Sequence, residues 1–257
     1  DTAVVSGFTF QTSGNTLTAV VPLAELSLPQ GQTIAVSAFQ EGASDGWAVD
    51  WMESATLTLT GLSPSSASVT DPEDMADSSG DIRGLQVQVM GDYALLSMTV
   101  HGVGAPSTEQ TPTDMSNRYY YHWLFDTDNN PATGRSNAEY EGNPTGLERP
   151  IGYERVAMIG WRDGKPNGVE VYDPADEDTA ILSGYTFQTG GNTLTAVVPL
   201  SALGVTTGQT IAVSAFQEGA SDGWAVDWVE SETLTLAEFA LDSSMVEDPE
   251  DMADSSG

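Results

Sequence analysis

The sequence contains no cysteine, which excludes a disulfide framework, a thiolate metal site and a cysteine nucleophile. Positive charge is nearly as scarce. Seven Lys and Arg stand against 38 Asp and Glu, for a net charge of −31, and Lys165 is the one lysine. Phosphates would be repelled rather than neutralised, so nucleic acid is excluded as a partner, and an anionic membrane surface is excluded on the same ground. No run approaches 18 apolar residues, so no helical membrane span is expected. The two histidines, His101 and His122, fit no metalloprotease spacing, and no nucleophile elbow, P-loop or dinucleotide fingerprint occurs. Chance pairs of carboxylates are inevitable among 38 acids, so they do not argue for glycoside hydrolysis. An enzyme is not expected.

Turn-forming residues are plentiful, with 26 Gly and 13 Pro, which suits many short strands better than long helices. The acidic excess has a physical consequence. At low salt, self-repulsion on this scale opposes the compact state. At about 1 M salt the Debye length falls to about 3 Å. A saline or calcium-rich extracellular setting is therefore expected, although acidity also serves solubility alone.

The sequence repeats itself. SGFTFQT at 6–12 returns as SGYTFQT at 183–189. GQTIAVSAFQEGASDGWAVDW at 31–51 returns unchanged at 208–228, and DPEDMADSSG at 71–80 returns at 248–257. The offset is 177 for every pair, and the segment 1–80 matches 178–257 at 59 of 80 positions. That period is too long for a solenoid unit of about 20–45 residues and is the size of a domain. Residues 81–177 occur once. The expected organisation is a window of a longer, secreted tandem array. Residues 1–60 would be the C-terminal half of one repeat, 61–70 a linker and 71–236 a complete repeat; 237–247 would be a second linker and 248–257 the start of the next repeat. The linkers are suggested by divergence: nine of the 21 differences fall in 237–247, opposite the Ser-, Pro- and Ala-rich 60–70.

Period-2 alternation predicts strands over 85–89, 93–100, 119–125, 155–161 and 169–172, and around Tyr185/Phe187, Leu194/Val198, Ile211/Ala215 and Leu234/Leu236. Gly91-Asp92 and Asp163-Gly164 read as tight turns. The expected fold is all-β, an antiparallel β-sandwich in tandem repeats with a period of 177. Half a sandwich cannot bury its inner face alone. Residues 1–60 are therefore expected to pair with a first half supplied from elsewhere, or to take part in strand exchange between subunits.

Two acidic patterns suggest Ca²⁺. In the loop from Asp126 to Gly134, the oxygens of Asp126, Asp128 and Asn130 alternate and can converge on one hard cation. Pro131 and Asn137 stand where an EF-hand needs Gly and Glu, so this is a different kind of loop; the alternative is a solvated Asx turn. The second pattern is Asp71, Glu73, Asp74, Asp77 and Asp81, repeated from 248. It suggests either a cation at the domain junction or a polar, helical turn opened by Asp71-Pro72.

The order DPEDMADSSGDIRGLQV, YYHWLFDTDNNPATG, NTLTAVVPLSALG and GQTIAVSAFQ resembles the family 9 carbohydrate-binding modules and the related DOMON-like sandwiches over most of 71–236. The resemblance implies a jelly-roll-like sandwich, often calcium-bearing, and in many members sugar binding. Trp224 and Trp228, with their counterparts Trp47 and Trp51, form W-x-x-x-W pairs that put two rings on one strand face. They read as a sugar platform or as packing, within the core or between repeats. The expected function is a non-enzymatic, calcium-stabilised module of a filament, stalk, surface layer or adhesin at the cell surface. Its partners would be neighbouring repeats. The alternative is a polysaccharide-binding array.

Overall fold

The computed structural model describes residues 10–13, 16–19, 26, 28, 32–43, 46–58, 65–90, 92–102, 119–136, 149–162, 165–185, 187–219 and 226–236. The chain divides into two compact units: residues 1–20 with 64–238, and residues 21–63 with 239–257. Nearly everything described is antiparallel β-structure, as the short alternating segments require. No described helix is long and apolar enough to cross a membrane.

In chain order the strands are β1 (Phe10–Ser13), β2 (Thr16–Ala19), β3 (Thr33–Val36), β4 (Phe39–Ala43), β5 (Gly46–Trp51), β6 (Ala55–Thr58), β7 (Ser65–Thr70), β8 (Ile82–Met90), β9 (Tyr93–Val100) and β10 (Tyr120–Asp126). There follow β11 (Arg135–Ser136), β12 (Gly152–Tyr153), β13 (Arg155–Arg162), β14 (Lys165–Asp173), β15 (Asp176–Tyr185), β16 (Phe187–Gly190), β17 (Thr193–Pro199), β18 (Thr210–Glu218) and β19 (Val226–Thr235). One helical turn, α1 (Leu200–Leu203), buries Leu200, Ala202 and Leu203 and ends at Gly204 with φ 70°. A side chain disfavours that left-handed conformation, so glycine suits the stop.

The larger unit contains a six-stranded sheet in the order β15-β14-β13-β10-β18-β19 and a five-stranded sheet in the order β16-β17-β9-β8-β7. Met90 pairs with Tyr93 and Arg162 with Lys165, the registers expected of two-residue hairpins. β9 alternates buried and half-buried residues along its whole length, so one face is committed to the core. β10 is buried throughout because strands flank it on both sides and apolar residues cover both its faces. On one side the Trp123 indole donates to Ser97 O (3.4 Å) in β9, and the Tyr121 hydroxyl to Ser79 O (2.7 Å). On the other, Leu124 joins Ile151, Tyr153, Val156, Ala212, Phe216 and Trp228 in a second apolar cluster. β18 and β19 also lie against β8, and β19 against β7.

Two expectations change. Residues 65–70 belong to the expected linker but form β7, paired with β8 from Ser65↔Val89 to Thr70↔Gly84. Within that Ser-rich run Ala67 and Val69 alternate, and both are buried, so period 2 outweighs composition. Residues 71–80 form bends and turns and no helix. The second expected linker, 237–247, and the segment 248–257 lie outside the described residues.

The repeated segments pair identically in both copies. β1 with β2 matches β16 with β17: Phe10↔Ala19 corresponds to Phe187↔Ala196. β3 with β6 and β4 with β5 match successive parts of the β18–β19 pair: Thr33↔Thr58 corresponds to Thr210↔Thr235, and Phe39↔Trp51 to Phe216↔Trp228.

Candidate metal centres

The strand-end loop after β10 draws three carboxylates together. Asp126 is the last residue of β10, Asp128 follows in the loop, and Glu154 immediately precedes β13; one oxygen of each lies within 4.8 Å of the others. The β10–β13 register brings Glu154 there: Phe125 faces Arg155, and the Glu154 amide donates to Phe125 O (3.0 Å). Local hydrogen bonds shape the loop. The Asn130 amide donates to Asp126 Oδ1 (2.9 Å) and Asp128 Oδ1 (3.0 Å), and the Thr127 amide to Glu154 Oε2 (2.8 Å). Asn129 adopts φ 53°, a left-handed conformation that Asn tolerates. Gln209 donates to Thr127 O and ties the loop to the start of β18.

Asp126 is 1% exposed. Burial pushes its carboxyl up to about 6; the Asn130 amide pulls the other way, and the neighbouring Asp128 and Glu154 add to the rise. Glu154 Oε1 is buried without a hydrogen-bond partner. The Asn130 side-chain oxygen accepts from the Ala132 amide (3.2 Å). Glu154 is not among the sequence candidates. It lies far along the chain from Asp126, and only strand pairing joins them.

The second cluster is Asp71, Asp74 and Asp81, again with oxygens within 4.8 Å. Asp81 is fully buried. Its Oδ2 accepts from the amides of Asp74 (3.2 Å) and Met75 (3.0 Å), while its Oδ1 has no partner. Asp71 Oδ2 is likewise buried and unpartnered. Burial, then Asp74 and Asp81, push Asp71 up to about 6 against the opposing His101 ring. Asp227 on β19 accepts from the Ile82 amide (2.6 Å). Burial raises its pKa to about 7, the Ile82 amide opposes this, and the three aspartates add to the rise. Asp77 stands apart from this cluster, its oxygens accepting from the Ser79 amide (3.0 Å) and the Tyr119 hydroxyl (2.7 Å).

Among the described residues, none of these six clustered carboxylates forms an ion pair with Lys or Arg. Both clusters could hold a metal ion. The donors are all oxygen, which suits a hard cation. A fourth raised carboxyl, Glu218, lies 3.8 Å from the His122 ring; burial pushes it to about 7 against the pull of Arg135.

The tryptophans part company. Trp228 is buried and stacked on Phe216 (4.5 Å between ring centres), and His122 stacks on the same Phe216. Trp51 makes the same stack with Phe39 at 4.5 Å but is exposed. Trp224 and the side chain of Trp47 lie outside the described residues. No protein-family model matches this chain, and no curated protein matches it in sequence.

Proposed function

We propose that this chain is a non-enzymatic module of a tandem-repeat extracellular protein, a β-sandwich stiffened by Ca²⁺ and assembled through contacts between repeats at the cell surface. One observation carries the reading. Asp81 is fully buried with a bare carboxylate oxygen, beside two more carboxylates and, among the described residues, without a Lys or Arg ion-pair partner. An isolated buried charge is costly, and three clustered ones more so, unless a cation or protons neutralise them. Calcium takes 6–8 oxygen ligands in irregular loops, which matches acidic turns supplemented by backbone carbonyls and water. The two large sheets, linked by the Trp123–Ser97 hydrogen bond and by the packing of β19 on β7, support a sandwich. They agree with the resemblance to family 9 carbohydrate-binding modules and DOMON-like domains. The charge of −31 supports a saline or calcium-rich exterior. The sugar reading has less support, because a buried Trp228 presents no open ring to a pyranose.

The test is a thermal melt of the full chain in EDTA and in millimolar Ca²⁺, Mg²⁺ or Na⁺ at matched ionic strength. A ligand at 100 times its Kd adds about 2.7 kcal/mol. At about 2–4 °C per kcal/mol for a unit of this size, each filled site should raise Tm by roughly 5–10 °C. An equal rise with Na⁺ would leave charge screening alone and defeat the proposal.

A further inference from the structure

The internal repeat provides a controlled comparison of one sequence in two surroundings. Identical residues in identical registers are buried in the second copy and open in the first. Trp228 is 5% exposed and Trp51 64%; Phe216 is 3% exposed and Phe39 54%; Val213 is 1% exposed and Val36 45%. Leu194 of β17 is fully buried, whereas its counterpart Leu17 of β2 is 76% exposed. Local sequence does not explain the difference, since 31–51 and 208–228 are identical. The cover explains it. Phe216 and Trp228 pack on Leu124, Ile151, Tyr153 and Val156, and every one of these comes from the segment that occurs once, 81–177. β10 of that segment also supplies the strand that hydrogen-bonds to β18, with His122 opposite Phe216. β15 runs without a break from the single-copy segment into the repeat, across positions 177 and 178.

We propose that the face of residues 33–58 bearing Ala35, Phe39 and Trp51, the counterparts of Ala212, Phe216 and Trp228, is an acceptor for another copy of the 81–177 segment, joined to Asp1 as residue 177 is joined to 178, which closes over it in the register of β10 on β18. The occupant's chemistry is set by what the face already receives in the complete copy: a strand like β10 and an apolar cover like Leu124, Ile151, Tyr153 and Val156. The proposal rests on the repeat-contact part of the function proposed above and is independent of calcium.

The absence of cysteine permits a direct test. Single Ala35→Cys and Ala212→Cys substitutions, at an exposed position and its buried counterpart on that face, are made in the full chain and in a version carrying residues 65–177 fused ahead of Asp1, and the rate of thiol labelling is read in EDTA. In the unfused chain, Ala35→Cys should label at least tenfold faster than Ala212→Cys. In the fusion the two rates should converge, and Leu124→Asp with Val156→Asp in the added copy should restore fast labelling at position 35. Unchanged labelling of Ala35→Cys in the fusion overturns the proposal. So does protection in the unfused chain, where concentration dependence would identify a second copy of this chain as the occupant. Hydrogen exchange gives an independent reading without substitution: residues 52–58 should slow in the fusion to the rate of 229–235. The two peptides differ in mass through Met52/Val229 and Ala55/Glu232. Failure of this test with a calcium-specific melt intact would refute the closure alone.

Discussion

Replacing Trp228 and Trp51 by alanine, one at a time, separates what a residue's identity contributes from what its surroundings contribute. Both are tryptophan, both lie opposite a phenylalanine in the same strand register, and both stack on it with ring centres 4.5 Å apart. Trp228 is enclosed by Leu124, Ile151, Tyr153 and Val156, so Trp228→Ala loses the buried ring and leaves a cavity. Removing a buried Trp costs about 3–5 kcal/mol. Trp51 is mostly exposed and would lose little beyond its stack on Phe39, about 1 kcal/mol. At about 2–4 °C per kcal/mol, Trp228→Ala should lower the main transition by roughly 6–20 °C, while Trp51→Ala lowers it by no more than about 2–4 °C. The assay is calorimetry of the full chain in EDTA, which keeps cation binding out of the comparison. Equal losses from the two substitutions, or none from Trp228→Ala, would refute the argument that cover from the 81–177 segment distinguishes the copies.

Three further outcomes are expected. Asp81→Asn removes one of three crowded carboxylates, so in EDTA it should hold or raise Tm while abolishing part of the Ca²⁺-dependent rise; melts in both buffers check the pair of signs. Gly134→Ala places a methyl 2.5 Å from Glu154 Oε1 at a backbone φ of 68°, and by displacing that carboxylate should weaken Ca²⁺ binding about tenfold, read by calorimetric titration. The raised pKa values, about 6 for Asp71 and Asp126 and about 7 for Glu218 and Asp227, mean that the folded state holds protons the unfolded chain has released. Their stabilising contribution is complete below about pH 4 and is lost as pH rises to about 7. Metal-free Tm should therefore fall between pH 5 and 8, and saturating Ca²⁺ should flatten that fall; a metal-free Tm that rises over this range would contradict it.

Much of this molecule is set by patterns that a linear reading captures. Strand type follows from alternation at Leu85, Val87 and Val89 because a pleated strand exposes opposite faces in turn. The pairings of Met90 with Tyr93 and Arg162 with Lys165 agree with the turn chemistry read between them, and the internal repeat follows from simple identity. Strand β7 is hidden in the sequence because serine and proline mask the alternation of Ala67 and Val69. Asp126 and Asp128 can be nominated because they lie within one loop, and Asp71, Asp74 and Asp81 because they share one short acidic stretch. Glu154 and Asp227 cannot, since β-sheet pairing joins positions far apart in the chain and leaves no local trace. Nor can sequence tell Trp51 from Trp228, or Asp77 from its neighbours. Identical segments form identical hairpins, because hydrogen-bond register is a property of the two strands involved. Whether a hairpin's apolar face is buried depends on a third segment, and that is decided only when β10 and the residues around Ile151 and Val156 fold over it.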